Sequence, residues 1–282
     1  MRTRFTQKHE NILLALAWFQ MLTYEHMIQL GLDKHKPNLF KYLKPLRESR
    51  GNLVDAVYVI DAHDNKTGIK KEVMFYLTER GVRFLVDEFE YPEDKIKYPK
   101  GRNILLTSDT HHRKQFLSCV IQLFRAAKKG QVLWHDFYFE YEKRRRKTRI
   151  DLDKGYIEAD MFFVLELEKH YLFGLEYERK PDIKRICEKI YNYVKAIAQG
   201  QPTTYLVSQG KMRFQRDMGV LYIFEDENKM RSVIERLSPD PIFKPYHDHF
   251  FFKSYEEIMQ GDFFSNWLTI YGVRKSIISS YQ

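Results

Sequence analysis

The stretch EADMFFVLELEKHYLFGLEYERK, residues 158–180, constrains this chain more than any other. Two β-rich runs, 161–167 and 171–178, flank a polar turn at Glu168-Lys169-His170, which is the pattern of a β-hairpin. With the turn centred near Lys169, paired positions sum to about 338, so Asp160 lies opposite Glu178. Strand side chains alternate between faces, so Glu176 shares the face of Glu178, and Lys180 continues it. Three carboxylates and one ammonium thus converge at one hairpin end. Like charges side by side destabilise a sheet unless something neutralises them. A divalent cation with hard oxygen ligands, Mg²⁺ or Mn²⁺, would do so. So would salt bridges to Arg179, Lys180 and Lys184.

The elements around this hairpin form an α/β pattern. Residues 110–129 carry an apolar stripe at helical spacing (Phe116, Leu117, Val120, Ile121, Leu123, Phe124), and 131–141 is an aromatic, strand-like run. Beyond the hairpin, Pro181-Asp182 opens a helix whose apolar face is Ile183, Ile186, Cys187, Ile190, Val194 and Ile197. Lys189 and Tyr193 stand i, i+4 on its flank, and Gly200 ends it. PTTYLVS (202–208) and VLYIF (220–224) read as strands. The aromatic-rich stretch 239–282 reads as a tail, with His247 and His249 as ordinary polar residues of it.

The first ninety residues have a different order. A helix over 4–21 is followed by a short one over 24–30, N-capped by Thr23 with His26 at its third position and ended by Gly31. After a polar turn, Pro37 starts a third helix over 38–49. Its exposed side carries Lys41, Lys44, Arg47 and Arg50, and Pro45 kinks or ends it. Strands at 53–61 and 70–77 enclose a polar turn at 62–68, and a helix runs from Thr78 to about Phe89. Three helices, strand, wing, strand and helix are the order of a winged helix-turn-helix, whose third helix enters the DNA major groove. The predicted organisation is therefore a winged helix-turn-helix over 1–92, a Pro- and charge-rich linker over 93–105, and a mixed sheet flanked by helices over 106–282.

Charge supports a polyanionic partner. Of the net +9, residues 1–50 supply +5 and residues 101–150 supply +8, while 51–100 and 151–200 carry −2 each and 201–282 carries 0. Two basic blocks and an acidic stretch after the second suit a DNA-binding protein with an acidic metal site. The run Arg144, Arg145, Arg146, Lys147 is read as an exposed phosphate-contacting arm. Cys119 and Cys187 lie far apart without a CxxC partner, which argues against a zinc ribbon or disulfide framework and fits a reducing cytoplasm. The longest clean apolar run, Ile12 to Phe19, falls short of the roughly 20 residues that span a bilayer, so no membrane partner is expected.

Taken together, the winged-helix order, His111-His112 at the head of a helix, Ala159-Asp160, Leu175-Glu176-Tyr177-Glu178-Arg179, Lys189 with Tyr193, and the TTYLVS segment resemble the replication-relaxation family. That family includes the MobC-type plasmid relaxases with a PD-(D/E)xK nuclease-like domain, and the resemblance covers roughly residues 8–225. Ala159-Asp160 stands where the family has Pro-Asp. Either Glu176-Tyr177-Glu178 or Glu178-Arg179-Lys180 matches the (D/E)xK element. The resemblance implies a relaxase or nickase that recognises an origin of transfer and cuts one strand with Mg²⁺ or Mn²⁺, alongside other mobilisation proteins. Asp160, Glu176 and Glu178 match the acidic, metal-holding motif. Lys189 or Lys180 matches its lysine, and His111 or His112 matches the histidine. The alternative it leaves is a non-catalytic plasmid replication or transcription regulator built on the same domains.

Overall fold

The computed structural model describes residues 5–48, 52–59, 72–99, 110–130, 133–139, 148–166, 169–179, 182–208 and 214–280. The chain divides into two compact units, Met1–Ile121 and Gln122–Gln282. The boundary falls inside a long helix rather than in the 93–105 segment.

The first unit contains α1 (Gln7–Phe19), β1 (Met21–Leu22), α2 (Tyr24–Gln29), α3 (Lys36–Glu48), β2 (Val54–Tyr58), β3 (Val73–Leu77), α4 (Glu79–Phe89) and the first turns of α5 (Thr110–Lys129). Its three strands form an antiparallel sheet in the order β1-β3-β2. Ile12, Leu13, Leu16 and Ala17 of α1, Leu39, Leu43 and Leu46 of α3, and Leu85 of α4 are buried among them. The sequence places these residues three or four apart, so each helix turns one apolar stripe inward. Pro45 does not end α3, which continues to Glu48. The proline removes one backbone donor, and the carbonyl it would have bonded belongs to Lys41, an exposed residue. The turn into α3 is held by Asp33, which accepts from His35 N, from Asn38 Nδ2 and from the Lys8 ammonium.

His26 ties α2 to α5. Thr23 Oγ1 accepts from His26 N, and His26 Nδ1 accepts from Thr23 N, closing a capping box. Its Nε2 bonds Ser118 Oγ at 3.0 Å, and Ser118 donates to Lys114 O. This network needs a neutral imidazole with the proton on Nε2. Burial, reinforced by the Lys114 ammonium, pushes His26 down to about 3. A histidine depressed in the folded state contributes stability above its unfolded value that is lost as pH falls toward the folded one. With an unfolded value near 6.5, this residue alone removes about 2 kcal/mol between pH 7 and pH 5. His26→Gln can keep the capping box without the titrating ring. Its urea midpoint is expected to fall correspondingly less over that interval than the wild-type midpoint.

The second unit is built on a seven-stranded mixed sheet. Its strands are β4 (Leu133–Phe139), β7 (Met161–Glu166), β8 (His170–Glu178), β9 (Phe214–Phe224), β10 (Phe250–Ser254), β11 (Trp267–Thr269) and β12 (Arg274–Lys275), in the order β12-β11-β10-β9-β8-β7-β4. β4, β7 and β8 form an antiparallel meander. β9 returns parallel to β8, and β10 lies parallel to β9. Between β4 and β7 the chain makes a small separate hairpin, β5 (Arg149–Asp151) with β6 (Tyr156–Glu158). The three parallel strands occupy the middle of the sheet, and their runs (YLFGLEY, VLYIF, FFF) are apolar on both faces, as a doubly covered strand requires.

Three helices complete one face: α6 (Ile183–Ala198), α7 (Gln201–Ser208) and α8 (Glu227–Leu237), followed later by α9 (Tyr255–Gln260) and α10 (Ile277–Ser280). Ile186, Ile190, Tyr193, Val194 and Ile197 of α6 share a core with Phe162, Val164, Leu172, Val220, Tyr222, Phe224, Phe250 and Phe252 of the sheet. Each aliphatic burial is worth about 2 kcal/mol, so α6 is held firmly and its polar flank has a fixed position. PTTYLVS is helix α7, not a strand. Gly200 takes the left-handed conformation (φ +67°) that ends α6, and Thr203 N then bonds Gly200 O to start a new turn. Pro202 lies in that first turn, where a missing N–H costs nothing. Residues 239–282 are not a tail either, because they supply three strands of the sheet.

Candidate functional site

The site begins with hairpin register. β7 and β8 pair as Met161↔Leu175, Phe163↔Phe173 and Leu165↔Tyr171, so paired positions sum to 336 rather than 338. Extending the ladder by one residue puts Asp160 opposite Glu176, with Glu178 one step beyond. A shift of two residues leaves every side chain on its face, so Asp160, Glu176 and Glu178 still belong to the face that α6 covers. The Asp160 carboxylate finishes the ladder itself: its Oδ2 accepts from Tyr177 N at 2.7 Å.

α6 brings the counter-charges. Asp182 caps it by accepting from Lys184 N and Arg185 N, which sets its first turn beside the end of β8. Lys189 Nζ donates to Glu176 Oε2 at 2.6 Å, and one turn on Tyr193 OH donates to Glu176 Oε1 at 2.5 Å. Arg185 donates to Glu178 Oε2 at 2.6 Å. Gly174 lies beneath Tyr193: a Cβ there would press on the flexible Met218 methyl at 2.8 Å and on the Phe162 ring at 3.3 Å, and would meet the Tyr193 hydroxyl in ordinary contact at 3.4 Å.

Glu176 is only 1% exposed. Burial pushes its carboxyl upward, the Lys189 ammonium opposes, and Asp160 reinforces. For Lys189, burial works downward, yet Glu176 and Asp160 hold it above its ordinary value. Glu176 holds Lys189 up only when charged. The pair is therefore ionised, with two donors on the one carboxylate. Burial, with the carboxylates nearby, pushes Tyr193 and Tyr222 well above the usual phenol range. Tyr222 pairs with Glu176 across β8 and β9, is fully buried, and its hydroxyl has no hydrogen-bond partner among the described residues.

These contacts narrow one expectation. Among the described residues, no group of three or more His, Cys, Asp or Glu side chains is arranged to hold a metal ion. Asp160, Glu176 and Glu178 sit at one end of the sheet but do not form a three-carboxylate cage, because each has a protein donor and Glu178 turns to Arg185. Of the two lysines considered, Lys189 reaches the acidic residues, whereas Lys180 lies outside the described residues, as do Arg144, Arg145, Arg146 and Lys147. His111 and His112 stand partly buried in the first turn of α5, within the first unit. His247 and His249 bind backbone carbonyls, of Lys244 and Met218 respectively. Sequence reasoning missed Arg185 and Tyr222. The signal for Tyr222 was a polar group in an otherwise apolar buried run.

In the first unit, Lys41, Lys44 and Arg47 are exposed on α3. Lys44 and Arg47 line a cleft of about 240 Å³ together with Tyr24, Phe40, Asn52 and Asp55. The Arg47 guanidinium lies 5.9 Å from the Phe75 ring centre and 3.9 Å from Asp55.

The second unit is thus a mixed α/β sheet flanked by helices, with a buried carboxylate–ammonium cluster at one end. No protein-family model, curated protein or solved structure matches this chain. Among the described residues, no helix is long and apolar enough to cross a membrane.

Proposed function

We propose that the protein is a DNA-binding endonuclease of relaxase type, with a winged helix-turn-helix that reads DNA and a PD-(D/E)xK-like unit that nicks one strand. The observation that carries this reading is the convergence of Lys189, Tyr193 and Asp160 around Glu176. The order around it supports the reading: a helix, the antiparallel strands β4, β7 and β8 with the β5–β6 hairpin inserted, helices α6 and α7, then β9 parallel to β8 is compatible with a PD-(D/E)xK core. The acidic residue falls before the second strand of the meander and the second acidic element on the third.

A divalent cation fits these residues in part. Their donors are hard oxygens, and Mg²⁺ or Mn²⁺ keeps several waters and needs only one or two protein carboxylates. Asp160 and Glu176 would hold it. When bound, it would polarise the phosphodiester and lower the pKa of a water. Lys189 would then offset charge developing on the phosphate, and Tyr193 would keep the Glu176 carboxylate in place. The histidine pair and Lys180 keep only the roles that the family resemblance implies.

A second reading is a DNA-binding replication or transcription regulator whose nuclease-like unit is silent. It is favoured by the Glu178–Arg185 and Glu176–Lys189 pairs, which neutralise two carboxylates without a cation. Incubating supercoiled plasmid that carries the cognate origin with the protein and Mg²⁺ or Mn²⁺ separates the two. Open circles support the nickase, an unchanged gel supports the regulator, and linear DNA means that both strands are cut.

For DNA reading, Lys41 and Lys44 are the cleaner probes, because Arg47 also contacts Asp55 and Phe75. Changing both lysines to alanine is expected to lower the preference for cognate over random duplex at least tenfold, at about 1–3 kcal/mol per base contact. Equal preference in a competition assay would move recognition elsewhere.

A further inference from the structure

Tyr222 faces the acidic cluster across β8 and β9, and its hydroxyl has no hydrogen-bond partner among the described residues. Its ring is fixed: it stacks on Phe252 (5.7 Å, 18°) and meets Tyr193 edge-on (6.5 Å, 88°). It faces Glu176 across the parallel pair β8–β9, and Glu176, Glu178, Asp160 and Arg185 lie within electrostatic reach of its hydroxyl. Yet that hydroxyl, fully buried, bonds none of the described residues. Glu176 accepts from Lys189 at Oε2 and from Tyr193 at Oε1, and neither oxygen is placed to accept from the Tyr222 hydroxyl. A buried hydroxyl left unpaired is rare in native proteins, and an unplaced ligand or water is a standard reason for one. The surroundings specify the ligand's charge. Among the described residues, the acidic groups that act on the hydroxyl, Glu176, Glu178 and Asp160, outnumber the one cation, Arg185, which favours a cation over an anion.

We propose that Tyr222 is a positioning residue that hydrogen-bonds a water of a hydrated divalent cation held at Asp160 and Glu176. The inference rests on the nuclease-like reading of the site and adds to it how the cation is held. Mg²⁺ and Mn²⁺ dehydrate reluctantly, so a site with two carboxylates must accommodate bound waters. Tyr222 supplies a fixed oxygen for one of them on the side closed by β9. Residues that orient a metal's ligands in this way change affinity by about 10- to 100-fold.

The test uses the full chain, MnCl₂ and no DNA. Mn²⁺ affinity is read from the loss of the free-ion EPR signal, and thermal unfolding is followed in EDTA, for wild type, Tyr222→Phe and Asp160→Asn. The wild type is expected to bind Mn²⁺, Asp160→Asn to lose it, and Tyr222→Phe to bind about tenfold more weakly. In EDTA, Tyr222→Phe is expected to melt at or above the wild-type temperature, because the hydroxyl removed had no partner. Unchanged Mn²⁺ affinity in Tyr222→Phe overturns the inference alone. A lower melting temperature in EDTA also overturns it, since the hydroxyl then has a protein partner. A wild type that binds no Mn²⁺ overturns the inference together with the nuclease-like reading.

Discussion

Asp160→Asn is expected to abolish strand cleavage, by on the order of 10³-fold or more, while the protein still folds and binds DNA. Asparagine is the informative substitution. Asp160 Oδ2 accepts the Tyr177 N–H, and alanine would leave that backbone donor unpaired, mixing a folding defect with a chemical one. Asparagine keeps an acceptor for the donor and removes only the charge. DNA affinity is expected to hold or improve, because the substitution would remove one negative charge from the proposed path of the phosphates. Plasmid nicking and filter binding on the same preparation check both halves. Cleavage at the wild-type rate by Asp160→Asn would mean that the aspartate serves the hairpin and not the reaction.

The second large effect is on stability. Lys189→Ala is expected to cost about 3–5 kcal/mol in urea unfolding, because it strands the Glu176 carboxylate in the interior with Tyr193 as its one remaining donor among the described residues. The cost comes from the orphaned charge rather than from the pair itself. Neutralising both partners should therefore recover most of it. The double variant Glu176→Gln with Lys189→Met keeps an acceptor for Tyr193 and fills the lysine's volume, and it is expected to unfold near the wild-type midpoint with no cleavage activity. If the double variant is as unstable as Lys189→Ala, the pair has a structural role that charge balance does not describe.

The face of the hairpin was legible in the sequence because strand side chains repeat every two residues, and no even shift of register can move them. The register itself was not, since turn geometry sets it and the turn sequence did not single out one pairing; Asp160 meets Glu176 instead of Glu178 as a result. The Ile186 to Ile197 stripe of α6 and the capping box of Thr23 with His26 were equally readable, being local patterns with one physical solution each. What was lost was non-local. PTTYLVS has the β-branched composition of a strand, but Gly200 and Pro202 make a helix start there, and Tyr205 packs on Phe162, a residue 43 positions earlier. The FFF of β10 looks like a loose tail until β9, some thirty residues before it, offers a parallel edge. Arg185 was hidden for the same reason, because only the packing of α6 aims it at Glu178 rather than at solvent.

The central proposal is that the end of β7 and β8 under α6 holds a divalent cation. Crystals of the full chain soaked in MnCl₂ test it most directly, by anomalous scattering at the manganese edge. The account predicts one strong peak beside the Asp160 and Glu176 carboxylates, absent from crystals of Asp160→Asn. Undisturbed Lys189–Glu176 and Arg185–Glu178 pairs with no peak there, or manganese bound only elsewhere on the chain, would contradict it.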